Sequence, residues 1–170
     1  MGAGASAVAP DEEGGPCTPP KDEWSMEFIL SQQVVMKHMR AYFAESPELR
    51  LLNYASEMRR LRGAVGTPGS PVGATDAAQI VGNFFSLAAP QRLPLADDYA
   101  EALQAIIAPG QDVACDTFDA PLRSVLEVIE TDLWVRFCDN EVALKALLSE
   151  KVLRLIGVSF DPATRRLKIG

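Results

Sequence analysis

An all-α bundle with a short β-hairpin-like tail is the fold this sequence predicts, and three observations carry the prediction. Apolar residues recur at helical spacing through most of the chain after residue 23. Helix start signals, Ser46 followed by Pro47 and later Asn140, stand immediately before such stretches. Only at the C-terminus does the pattern change, where VSF, DPATRR and LKI read as two short strands around a turn.

In chain order, residues 1–22 are rich in Gly, Ala and Pro with an acidic DEEGG step, too poor in apolar surface to order themselves. WSMEFILSQQVVMKHMRAYF predicts one helix with Phe28, Val35, Met39 and Tyr42 with Phe43 as its stripe. SPELRLLNYASEMRRLR predicts a second, capped by Ser46, with Leu51, Tyr54, Met58 and Leu61 inward. GAVGTPGSPVGAT, residues 63–75, is a Gly/Pro loop. Helices are then expected over 76–87, burying Ile80, Phe84 and Phe85, and over 97–108, burying Tyr99, Leu103 and Ile106 or Ile107. Phe118, Leu122, Val125, Ile129, Leu133, Trp134 and Phe137 mark two closely joined helices. Asn140 caps another that carries Val142, Leu144 and Leu147. In the tail, Val158, Phe160, Leu167 and Ile169 are the residues able to pack on a helix.

The length, 170 residues, suits one substantial core rather than two. The expected organisation is an N-terminal arm over 1–22, a helical domain over 23–150 and an extension over 151–170. A formal net charge of −7 disfavours a general nucleic-acid binder. Cys17, Cys115 and Cys138 are widely spaced and odd in number, which suggests neither a disulfide framework nor a zinc site and fits a reducing interior. Neither a secretory leader nor a membrane span is expected.

Catalytic constellations are lacking in the pattern. His38 stands on an amphipathic helix with no nucleophile in context. Asp97 with Asp98, and Glu127 with Glu130, read as solvated helix charges. The glycines of 63–75 have no Gly-Lys-Ser/Thr after them, and the prolines among them remove amide donors a phosphate cradle needs. No enzyme activity, cofactor or metal is expected. Lys37, Arg40, Arg59, Arg60 and Arg62 are noted as cations able to touch anionic lipid or simply to be solvated.

The order of the pieces resembles a known family. AYFAESPELRLLNYASEMRRL is similar to the opening helices of the regulator of G-protein signalling (RGS) domain, with Glu48 and Ala55-Ser56-Glu57 at matching spacing. APQRLPLADDY resembles the crossing between its halves, and FDAPLRSVLEVIETDLWVRFCDNEVALKAL its final helices, with IETDLWVRF the best single signal. The resemblance spans roughly residues 24–148 and implies a bundle of about eight or nine helices that binds the switch regions of a GTP-loaded Gα subunit. Because such a Gα brings its own arginine and glutamine, the partner contributes positioning rather than a catalytic residue. Carried over position by position, the contact surface would comprise Glu48, Leu49, Pro94, Val128, Asp132 and Arg136. The family has Asn where this chain has Leu49, and again where it has Pro94. Neither side chain offers an amide to a switch loop, which leaves GTPase acceleration open. A second reading keeps the fold as a membrane-tethered scaffold for a different signalling partner.

The opening MGAGAS matches the N-myristoylation pattern, with Gly2 as acceptor and Ser6 at the required offset. One acyl chain attaches only marginally, so a second signal is expected, and Cys17 is the candidate for S-palmitoylation. The expected location is cytoplasmic, peripheral on the inner face of a membrane.

Overall fold

The computed structural model describes residues 24–65 and 69–169. Among these the chain forms α1 (Met26–Ser31), α2 (Gln33–Tyr42), α3 (Leu49–Val65), α4 (Ala74–Phe84), α5 (Ala96–Ile106), α6 (Asp119–Val128), α7 (Trp134–Asp139), α8 (Glu141–Leu148) and α9 (Lys151–Leu155). A two-stranded antiparallel hairpin, β1 (Val158–Asp161) and β2 (Arg166–Ile169), follows. The architecture is an all-α bundle with a C-terminal hairpin. α3 packs against α1, α2 and α6, and α2 packs against α8.

The first predicted helix is two helices. Ser25 starts α1 by accepting the Phe28 N–H at 3.0 Å. The Ser31 hydroxyl then takes the Phe28 carbonyl at 2.6 Å, and Gln32 turns extended at φ −73°, ψ 113°. This break resets the helical phase. Met26, Ile29 and Leu30 are buried from α1, and Val35, Met39 and Phe43 from α2 and its end, while Phe28 is half-buried and Tyr42 is exposed. No Gly or Pro marks the break, so a continuous stripe was the natural expectation.

α3 starts at Leu49 rather than at Pro47, because Ser46 closes a turn on Glu48 instead of capping a helix: its hydroxyl bonds the Glu48 carboxylate, and its carbonyl accepts the Leu49 N–H at 3.1 Å. Tyr54 lies at the centre of the core, edge-on to Phe84 at 5.2 Å and to Phe85 at 5.6 Å. Its hydroxyl donates to the Phe118 carbonyl at 3.3 Å, and burial pushes its ionisation far above the ordinary range.

The 63–75 loop is shorter than expected, since α3 continues to Val65 and α4 begins at Ala74. Val72 is buried and pairs with Val113 through reciprocal N–H···O bonds of 2.8 and 2.9 Å. Asp112 accepts the Ala74 N–H at 3.1 Å, supplying from a distant segment the cap that Gly73 cannot. In α5 Leu103 is buried and Tyr99 half-buried, its hydroxyl 2.8 Å from that of Ser124, while Ile107 rather than Ile106 turns inward.

Between α6 and α7 the chain passes through a π-helical turn over Ile129–Leu133, in which the Trp134 N–H reaches five residues back to the Ile129 carbonyl. Thr131 contributes by donating its hydroxyl to the Glu127 carbonyl at 2.8 Å, an i−4 bond that loosens the regular ladder. The extra residue lets Ile129, Leu133, Trp134, Phe137 and Cys138 all face the core. Asn140 caps α8 as predicted, accepting the Ala143 N–H at 2.9 Å. Leu147 is buried there and Leu144 half-buried, but Val142 is 80% exposed.

The hairpin is tied to the bundle. Val158 pairs with Ile169 and Phe160 with Leu167; Leu167 is buried, with Val158 and Phe160 packed against the core. The Ile169 side chain lies outside the described residues. Arg165, at φ +53°, turns its carbonyl to the Trp134 indole N–H at 2.7 Å, and its guanidinium reaches Asp139 at 3.0 Å. Trp134 stacks on Phe137 at 5.7 Å and lies 6.0 Å from Trp24, whose ring carries the Arg166 guanidinium at 5.8 Å. One tryptophan thus joins the N-terminal edge, α7 and the tail.

Candidate functional site

Arg136 joins two other predicted contact residues. Its Nη2 donates to Glu48 Oε1 and to Asp132 Oδ2, both at 3.0 Å. Asp132 and Arg136 are one turn apart, so their pairing was legible as an i,i+4 contact. Glu48 arrives from the turn before α3, 88 positions away in the chain, which no local pattern encodes. Beneath them the Arg136 guanidinium lies over the Phe43 ring at 5.2 Å, and Tyr42 packs edge-on between Phe43 and Phe137. Phe43 and Tyr42 were not among the residues singled out for this face. The aromatic end of α2 and the two carboxylates together give the partly exposed guanidinium a defined position.

The site is acidic and oriented. Glu48 is held below the ordinary carboxylate range, first by its own backbone amide and then by the Arg136 guanidinium; Arg136 is raised in turn by Glu48 and by Asp132. These are partly exposed groups, and water screens much of the pairing. A depressed carboxylate favours the folded state fully above the ordinary carboxylate range, and that contribution is lost as pH falls through the lowered value. Replacing Arg136 with Gln should therefore move the Glu48 titration upward, read from its carboxyl resonance by NMR. An unmoved titration would show that the bond does not form in solution.

The remaining predicted residues lie on three separate segments. Leu49 opens α3 beside Glu48 and is half-buried against the core. Pro94 is exposed in the α4–α5 connection, between buried Leu93 and half-buried Leu95. That connection is pinned: the Leu93 N–H bonds the Phe84 carbonyl at 2.9 Å, and Arg50, one residue after Leu49, donates to the Arg92 carbonyl at 2.7 Å. Asn53 adds a further tie, bridging Arg40 and Gln91, the latter at 2.7 Å. Val128 is 39% exposed at the end of α6, one turn before Asp132. The structure thus joins Glu48, Asp132 and Arg136 directly, and fixes the segments bearing Leu49 and Pro94 to each other through Arg50. Gly2 and Cys17 lie outside the described residues.

Other titratable groups have structural occupations. His38 Nε2 is 2.6 Å from Glu150 Oε1, joining α2 to the start of α9. Cys138 is a free thiol pushed up to about 12 by burial, which keeps it protonated. Cys115 is disulfide-bonded, a correction to the expectation that the cysteine spacing and odd number suggest no disulfide framework: spacing along the chain does not report spatial approach. Among the described residues no group of three or more His, Cys, Asp or Glu is arranged to hold a metal ion, and no helix is long and apolar enough to cross a membrane. No protein-family model matches this chain, and no curated protein and no solved structure matches it.

Proposed function

We propose that this chain is an RGS-like regulator of heterotrimeric G-protein signalling, docking the switch regions of a Gα subunit on the face built around Arg136. The observation that supports it best is the meeting of Glu48, Asp132 and Arg136, chosen by sequence resemblance from segments far apart in the chain, in one hydrogen-bonded cluster. Such a surface can accept switch-loop amides on its carboxylates while the guanidinium fixes their direction. In this scheme a docked domain restrains the switches and no residue of this chain enters the chemistry; Leu49 and Pro94, where the family has Asn, leave acceleration of hydrolysis open. The proposed N-myristoyl group at Gly2 would help to hold the domain at the membrane where a lipid-anchored Gα resides, whereas an S-palmitoyl group at Cys17 competes with the disulfide of Cys115, because Cys138 is a free thiol and the chain has three cysteines.

The test is capture of Gα loaded with GDP, with and without aluminium fluoride. The expected result is a complex that tightens with the transition-state mimic and weakens about tenfold or more when Arg136 becomes Ala, given the cost of stripping one partner from a charged cluster at an interface. Binding that ignores nucleotide state would instead favour the scaffold reading. That second reading has its own support, since Leu49 packs against the core and Pro94 presents no side-chain donor where the family offers amides.

A further inference from the structure

The cations noted in the sequence separate into two groups in the fold. Arg62 faces α1 and α6, bonded to Glu27 and to Asp119, the latter at 2.6 Å. Lys37 and Arg40 from α2 and Arg59 and Arg60 from α3 instead line one groove of about 420 Å³ between these helices, with Gln33 and Ser56 among its walls and no carboxylate in its lining. In a chain of net charge −7, four cations converge on one concavity.

Their partners leave much of that charge available. The Arg59 side chain makes no hydrogen bond or ion pair within the described residues, and Lys37 is 75% exposed with its ammonium 3.8 Å from Glu150. Arg40 spends its Nε and one terminal nitrogen on a single neutral acceptor, Asn53. Arg60 is the most committed, to Glu57 at 2.6 Å and Asp76 at 3.4 Å. A guanidinium has five N–H donors, so both arginines keep donors for a further acceptor. Like charges lining a concave wall raise the local potential and favour a compact polyanion over a single carboxylate. Arg forks match phosphate oxygens, and the volume falls in the range of small-ligand sites.

We infer that the α2–α3 groove is a binding site for the phosphorylated headgroup of an anionic membrane lipid. The membrane as the source of that phosphate rests on the proposed lipid anchor, since one acyl chain attaches only marginally and a basic patch is one of the second signals that complete it, which the acidic DEEGG step cannot supply. The chemistry of the groove does not depend on the anchor.

The experiment uses the full chain without acylation, sedimented with vesicles of phosphatidylcholine alone, with added phosphatidylserine, and with added phosphatidylinositol bisphosphate; soluble inositol trisphosphate is titrated in parallel. The expected result is binding to the bisphosphate vesicles above all, weakening with salt. The pair Lys37→Glu and Arg59→Glu, both exposed, should lower that affinity by about tenfold or more, and Lys37→Gln with Arg59→Gln should lower it less, in proportion to the charge removed. Lys145→Glu, an equal charge change per residue on α8, should alter it by less than about twofold. Circular dichroism of each variant checks that the helices persist. Absence of binding to the bisphosphate vesicles, equal binding to serine-lipid vesicles, or unchanged affinity in the charge-reversed pair would overturn the inference. Capture of the soluble headgroup without the vesicles would overturn the membrane as its source. Failure of the lipid anchor is read separately, as an unchanged membrane fraction of Gly2→Ala in cells, and failure of the Gα reading by the aluminium fluoride test.

Discussion

Trp134→Ala should lower the free energy of unfolding by about 3–5 kcal/mol, the largest effect expected of any single side chain here. Trp134 is 2% exposed, stacked on Phe137, tilted against Trp24 and bonded through its indole N–H to the Arg165 carbonyl. Its truncation removes the hydrophobic contact, opens a cavity and leaves a hairpin carbonyl without its donor. Trp134→Phe separates these contributions. It retains much of the aromatic area and loses the hydrogen bond, so its cost should be nearer about 1–2 kcal/mol. Denaturant unfolding followed by far-UV circular dichroism measures both, and amide exchange in β1 and β2 should accelerate in the Ala variant before the bundle melts. A loss below about 1 kcal/mol in Trp134→Ala would show that the hairpin docks without the indole.

The second large effect concerns function. If the proposed Gα reading holds, the unaltered chain should leave single-turnover GTP hydrolysis by a Gα subunit almost unaccelerated, and the pair Leu49→Asn with Pro94→Asn should raise the rate about tenfold or more. Each restored amide is expected to contribute about 1–3 kcal/mol at a desolvated contact, and about 1.4 kcal/mol is one factor of ten. Two features favour restoration. Pro94 is exposed, so its replacement disturbs no packing, and the connection that carries it is held by the Leu93 and Arg50 bonds independently of the proline ring. Leu49 is half-buried, so the Asn variant should lose some stability, which a thermal melt of the pair reports. Strong acceleration by the unaltered chain would show that the two substitutions do not disable it. Absence of acceleration in the restored pair, with the fold intact, would favour the scaffold reading.

These expectations rest on different kinds of legibility. Ile80, Phe84, Phe85, Leu103, Leu122, Val125 and Leu133 could be placed in the core because helical periodicity reports burial wherever a helix runs unbroken. Tyr42 and Val142 could not, because a break, a helix end or a capped start shifts the face there. Ser31 and Thr131 direct two such changes by hydrogen-bonding to the backbone, a competition that apolar spacing does not record. The candidate face divides the same way: Asp132 and Arg136 are local neighbours, whereas Glu48 and the Phe43 platform meet them only through the packing of α2 and α3 beside α7.

By itself the sequence determined the helical class, the site of the C-terminal hairpin, the Asn140 cap and the i,i+4 pairing of Asp132 with Arg136. These depend on spacing and residue type within a few turns of chain. Tertiary structure alone decided the split of α1 from α2, the Val72–Val113 bridge across the Gly/Pro loop, the meeting of Glu48 with Arg136 and the division of the basic residues into a paired Arg62 and an open groove. Each of these joins residues whose approach depends on how whole helices pack, and side-chain charge or polarity in the chain order carries no record of that approach.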